Sequence, residues 1–120
     1  MKRRIKSAHV PEPPPRTWSN CVVSGNHVYI AGMYASTEPV LEGGNSMYGQ
    51  SVAGGTMDDI VKVLIFVTDI ERRHEVWKAR NEFFPDDDFP ASTLVEVRKL
   101  YSPELLIAAE AVAVLKAPIS

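Results

Sequence analysis

The chain has 120 residues, 45% of them hydrophobic and 23% charged, which suits one globular domain and is too little for two. A net charge of -2 excludes the broad basic surface that a nucleic-acid backbone requires, and a single cysteine, Cys21, excludes an internal disulfide. No apolar run is long enough to span a membrane, and the basic start Lys2-Arg3-Arg4 is not followed by an apolar stretch, so a cytoplasmic protein is expected.

In chain order, "KRR" at Lys2–Arg4 reads as solvated charge on a mobile N-terminus. The proline-rich "HVPEPPPRTW" cannot be helical and is expected to run extended, so residues 1–17 are set apart from a single domain over 18–117, with 118–120 as a tail. "CVVSGNHVYIAG" gives two β-rich runs around Ser24-Gly25-Asn26, a hairpin signal. Within it, Cys21 reads as a small buried residue, since no base adjoins it in sequence. Met33 to Thr56 is rich in glycine, has no sustained period and is expected to be loop. "IVKVLIFV" (Ile60–Val67) is short and rich in β-branched residues, hence a strand.

"ERRHEVWKARNEFF" is the clear helix, with Ile70, Val76, Trp77, Phe83 and Phe84 on one stripe, ended by Pro85 and Asp86–Asp88. "ASTLVEV" is the next strand, Tyr101–Glu104 a turn, and "LLIAAEAVAVL" (Leu105–Leu115) the last strand. The strands at Ile60–Val67 and Leu105–Leu115 are apolar on both alternating faces. One helix can cover only part of one face, so the pattern itself predicts association with copies of the same chain.

Several polar residues interrupt these patterns. Arg73 and Arg80, seven apart, fall near the middle of the helix stripe. They either lie along aromatic side chains or pair with Asp59, Glu96 or Glu110, or else face a seam between subunits and bind an acidic group there. Lys62, Glu96 and Glu110 each break an apolar strand, and Lys62 is expected to pair with one of the two glutamates; a displaced catalytic carboxylate is the alternative. His9, His27 and His74 are scattered, the run Asp86–Asp88 reads as a solvated loop, and Gly43-Gly44 and Gly54-Gly55 fit no phosphate loop. No metal site is expected.

The order of these elements, with "GNHVYIAG", "DDIVKVLIFVTDI", "NEFF", "FPASTLVEV" and "EAVAV", resembles the RidA/YjgF family of small trimeric proteins from about Trp18 to Leu115. The most specific part is "PASTLVEV" followed by "ELLIAAEAVAV". The resemblance implies an α+β, chorismate-mutase-like fold: a mixed β-sheet with a helix layer on one face, in a trimer whose sheets pack inward and whose ligand clefts lie between neighbours. It also implies hydrolysis, in active members, of enamines and imines of small 2-keto acids with release of ammonia, using no metal or cofactor.

The site residues carried over by the resemblance depart from the active pattern. The position of the arginine that follows "PA" is Ser92, with Thr93 after it. That of a small or thiol residue is Leu94, that of the water-placing glutamate is Ala108, and that of a helix asparagine is Trp77. Trp18 keeps an aromatic wall, and Gly32, with Met33 after it, keeps the backbone that borders the cleft. Losing the arginine removes charge-assisted hydrogen bonds of roughly 1.5–3 kcal/mol each. The family also has a helix where only Ser51 separates Gln50 from Val52. Its loss would remove several buried side chains at ~1.5–3 kcal/mol each, so a stretch missing from the sequence is expected there rather than a true deletion.

The expected function is a homotrimer whose inter-subunit clefts bind a small metabolite, with imine or enamine deaminase activity weak or lost and no assignable catalytic residue. Two alternatives are a working hydrolytic deaminase of imino and enamino acids, and a scaffold or chaperone-like trimer with vestigial clefts. No cofactor, nucleic acid or membrane partner is expected.

Overall fold

The computed structural model describes residues 2–4, 13–35, 57–83 and 89–117, with backbone alone at 32–35, 57, 82 and 83. Strands β1 (Lys2–Arg4), β2 (Cys21–Ser24), β3 (His27–Ala35), β4 (Ile60–Val67), β5 (Ala91–Glu96) and β6 (Ile107–Val114) form one sheet in the order β1-β2-β3-β6-β4-β5. Helix α1 (Arg73–Phe83) crosses from β4 to β5, the one parallel pair; the other pairs are antiparallel. A parallel pair needs such a crossover, and "ERRHEVWKARNEFF" supplies it.

The β2–β3 hairpin turns on Gly25, whose φ of 61° is the left-handed value that glycine adopts without strain. The Asn26 side chain donates to the Leu115 carbonyl at 3.1 Å, and the Leu115 amide donates to the Asn26 carbonyl at 2.7 Å. The hairpin tip is thereby tied to the end of β6.

Three expectations need correction. Lys2–Arg4 is not a free tail: it pairs with β2 antiparallel, Arg3 opposite Val23, because the outer edge of β2 offers unsatisfied backbone groups. Residues 15–17 form a turn rather than an extended run, with Arg16 at φ 66° and the Thr17 hydroxyl donating to the Pro14 carbonyl. Met33–Ala35, expected as loop, continues β3 past an irregularity after Ile30 and pairs with Ala109, Ala108 and Ile107. Long-range pairing overrides the weak local signal there. The expectations about Gly43–Gly44, Gln50–Val52, Gly54–Gly55, Phe84 and Asp86–Asp88 lie outside the described residues.

The core lies on one face of the sheet. Cys21 and Val23, Val28 and Ile30, Val63, Ile65 and Val67, and Ile107, Ala109, Ala111 and Ala113 all turn to it at period two. A register shift between Ile60 and Lys62 lets Ile60 face the core as well, leaving Val61 outside. From α1, Val76 and Ala79 are buried. The helix stripe therefore needs correction too: Trp77 lies off it, 36% exposed, with its ring edge-on to His74. A step of three or four from Val76 leads to Ala79 and Arg80, not to Trp77.

The entry of α1 is fastened by two carboxylates. Asp69 accepts from the Glu71 amide at 3.0 Å and Glu96, at the end of β5, accepts from the Ile70 amide at 3.0 Å. These satisfy amides that a helix start leaves without partners. Among the described residues, no helix is long and apolar enough to cross a membrane.

Candidate functional site

The second face of the sheet carries the alternate residues. Leu64, Phe66, Val112 and Val114 are half-buried there, and Tyr29 is 47% exposed. A half-open hollow of about 460 Å³ makes this face concave, lined by Val22, Tyr29, Lys62, Leu64, Glu110 and Val112, among others. Lys62 and Glu110 stand diagonally across the β4–β6 pair, since Lys62 is opposite Val112 and Glu110 opposite Leu64. The expected ion pair does not form: among the described residues no carboxylate lies within 4 Å of Lys62. Glu96 is on the other face, capping α1, so it is not available to Lys62 either.

The residues singled out from the sequence divide into two groups. Trp18 is 56% exposed and donates from its indole to Asn20, whose carbonyl accepts from the Ala31 amide at 2.9 Å. Trp18 thus belongs with β2 and β3, as do Gly32 and Met33 in β3 itself. Ser92, Thr93 and Leu94 lie on β5, three strand positions from β3 in the sheet order, which is about 14 Å. Ala108 lies between the two groups on β6, opposite Tyr34 and Phe66, and is buried. One protomer therefore does not gather the candidate cleft residues; they lie in two groups at different parts of one sheet.

The β5 group is the more polar. Ser92 and Leu94 turn toward α1, and Thr93 turns to the concave face as the partner of Leu64. Leu94 packs against the core. Arg80 reaches from α1 with its guanidinium carbon 5.2 Å from the centre of the Phe89 ring, and its Nη1 donates to Ser92 Oγ at 3.4 Å. Of the alternatives for Arg80, it lies on an aromatic ring, and among the described residues it pairs with none of Asp59, Glu96 and Glu110. Sequence reasoning placed Arg80 on the apolar stripe but missed its approach to Ser92. The spacing from helix to strand depends on how α1 docks. Arg73 instead donates to the Ile70 carbonyl at 3.3 Å and lies 3.9 Å from Glu71.

Cys21 is buried and burial pushes its thiol up to about 11, so it is a neutral core residue rather than a nucleophile. Glu75 is held below its ordinary value by the hydrogen bond from Arg72, whose Nε donates to it at 2.6 Å on the outer surface of α1. Among the described residues, no group of three or more His, Cys, Asp or Glu gathers to hold a metal ion.

With this geometry in place, the chain can be set beside known proteins. A family model described as Endoribonuclease L-PSP matches residues 50–115. No curated protein matches. Among solved structures, a protein of unknown function from Pseudomonas aeruginosa superposes with a TM-score of 0.87 at 32% identity, over 98% of this chain and 95% of that one. A member of the YjgF/YER057c/UK114 family from Mycobacterium tuberculosis gives 0.75 at 31% identity, over 82% of this chain and 86% of that one. The YjgF gene product of E. coli gives 0.78 at 25% identity, over 93% and 98%.

Proposed function

The chain belongs to the YjgF/endoribonuclease L-PSP family, with its chorismate-mutase-like α+β fold. From that premise we propose that it works as a homotrimer whose inter-subunit clefts bind a small metabolite, with imine and enamine hydrolysis weak or absent. The observation that carries this reading is the separation of the two half-sites. Trp18 and Gly32 border one part of the sheet and Ser92 lies on another, about 14 Å apart across β6 and β4. A neighbour's sheet laid against the concave face would bring one group up to the other.

The concave face supports the same assembly. Its half-buried Leu64, Phe66, Val112 and Val114 would each gain roughly 1.5–3 kcal/mol at most on complete burial. Lys62 and Glu110, unpaired with each other in the protomer, can pair with their counterparts on copies of the chain. Weak chemistry follows from the side chains present. Ser92 and Ala108 supply neither a guanidinium nor a carboxylate of their own, so attack of water on an imine carbon lacks a positioned base.

Sedimentation velocity should give a trimer, and a thermal-shift screen with keto acids, amino acids and aromatic carboxylates should give at least one stabilising ligand. A monomer would end the proposal. In a coupled assay on the imine of a small amino acid, ammonia release matching an active family member would overturn the loss of chemistry and favour the hydrolase alternative. The approach of Arg80 to Ser92 is the observation on the side of that alternative.

A further inference from the structure

His27 begins β3 on the concave face, two residues before Tyr29, and its ring stacks with the Tyr29 ring at a centroid distance of 6.3 Å. The register sets it directly opposite Val114 of β6 on one side and Ser24 of β2 on the other. Tyr29 stands likewise between Val112 and Val22, which line the hollow. An imidazole is thus built into the margin of the surface formed by exposed Tyr29 and half-buried Val112 and Val114, and in the protomer it is itself exposed. Residues opposite each other on adjacent strands lie within about 5.5 Å. A copy of the chain that covers Val114 and Tyr29 therefore covers His27 with them.

The charges around His27 do not favour a proton on it. On β1, Lys2 lies opposite Ser24 and Arg4 opposite Val22, so both share the concave face, and Lys2 is two strand spacings from His27, about 10 Å. Past β6, exposed Lys116 follows Leu115, whose amide bonds to the Asn26 carbonyl beside His27. On β4, Lys62 stands in one row with Tyr29 and Val112. The acids are further away or engaged. Glu110 is four residues before Val114 on β6, and Asp58 and Asp59 precede β4, with Val114 between them and His27. Asp59 has a contact of its own. Among the described residues no carboxylate lies within 4 Å of His27.

We propose that His27 is an acid-sensitive latch on assembly: neutral, it is covered by a second copy of the chain, and protonated, it drives the copies apart. This rests on the homotrimer reading above and adds its regulation. Covering a side chain strips it of water, and a charged imidazole loses far more by this than a neutral one. The new charge also arrives on a face that already carries Lys2, Arg4 and Lys62, and it is repeated in every copy. The separated protomer therefore holds more protons than the assembled one. Association is complete above the ordinary imidazole value of about 6.5 and is lost as the pH falls through it. Exposed carboxylates ordinarily titrate lower, and lysine, arginine and tyrosine much higher, so a histidine sets this window. Of the other histidines, His74 is on α1, which covers the opposite face of the sheet.

The test is sedimentation velocity of the full-length protein over a range of concentrations, at about pH 7.5 and about pH 5.5 and at one ionic strength. The trimer should dissociate roughly 10- to 100-fold more readily at the lower pH. His27→Gln should erase that difference, as should His27→Phe, which keeps a ring beside Tyr29. His27→Lys should weaken assembly at both pH values. His74→Gln and His9→Gln should leave the acid response intact. A response that survives in His27→Gln overturns the assignment, as does one that disappears in His74→Gln or His9→Gln. A parent trimer equally stable at both pH values overturns the latch alone; a monomer at the higher pH overturns the homotrimer reading as well. If His27→Gln fails to assemble at the higher pH, His27→Phe decides: acid dissociation that persists there overturns the latch.

Discussion

The two faces of the sheet are built from the same strands yet are finished differently. Toward α1, β4 presents Val63, Ile65 and Val67 and β6 presents Ile107, Ala109, Ala111 and Ala113, all buried and none charged. On the concave face the same strands present Leu64 and Phe66, Val112 and Val114, only half-buried, with Lys62 and Glu110 among them. A protomer completes the first face by itself. The second has the apolar content of an interior with charges set among it; in the proposed homotrimer those charges would select which surfaces meet and in which register.

The largest expected effect is on the covered face. Ile65 is fully buried, so Ile65→Ala should cost about 2–5 kcal/mol in urea denaturation. A loss below about 1 kcal/mol would break the distinction between the faces. On the concave face, Leu64→Asp should do its damage through assembly. The protein should sediment as smaller species, with a melting point that depends on concentration. Lys62→Glu should weaken assembly in the same assay and Glu110→Lys in the same chain should restore it; a double variant no better than the single one removes the charge pairing between copies.

A smaller effect is expected at the seam between β5 and α1. Glu96→Ala leaves the Ile70 amide without its acceptor and should cost about 0.5–2 kcal/mol, while Glu96→Gln, which keeps a carbonyl oxygen, should cost less. The smallest effect, absent at pH 7, belongs to Cys21. Burial raises its thiol from 9.0 to about 11, so in this range the unfolded chain holds fewer protons than the folded one. Stability from this source is complete below pH 9 and falls as pH rises toward 11. Denaturation midpoints of Cys21→Ala should therefore fall less between pH 8 and about 10.5 than those of the parent. Equal slopes would mean that the thiol is not desolvated.

Elements with a strong local period could be read from the residues alone. Ile60–Val67 is a strand with the bounds expected, and the Gly25-Asn26 turn lies within the expected hairpin. The ends read poorly: β3 runs on through Ala35 and Lys2–Arg4 pairs as β1, because edge pairing depends on what lies alongside and not on propensity. At the candidate site, Ser92, Trp18 and Arg80 were each marked out, but their grouping was not. Nothing in a one-dimensional pattern states that a helix residue at 80 will reach a strand residue at 92 while Trp18 stays three strands away.

What the sequence determined by itself is β2, β4, β5, β6 and the start of β3, the crossover helix and the doubly apolar character of β4 and β6, since all of these follow from local period and residue identity. Only the tertiary structure decided that Glu96 caps a helix, that Lys62 and Glu110 share a face without pairing, and that Arg80 carries its guanidinium to Ser92. These are contacts across the sheet and between layers, and they are fixed by strand register and helix docking, which depend on the packing of the whole core.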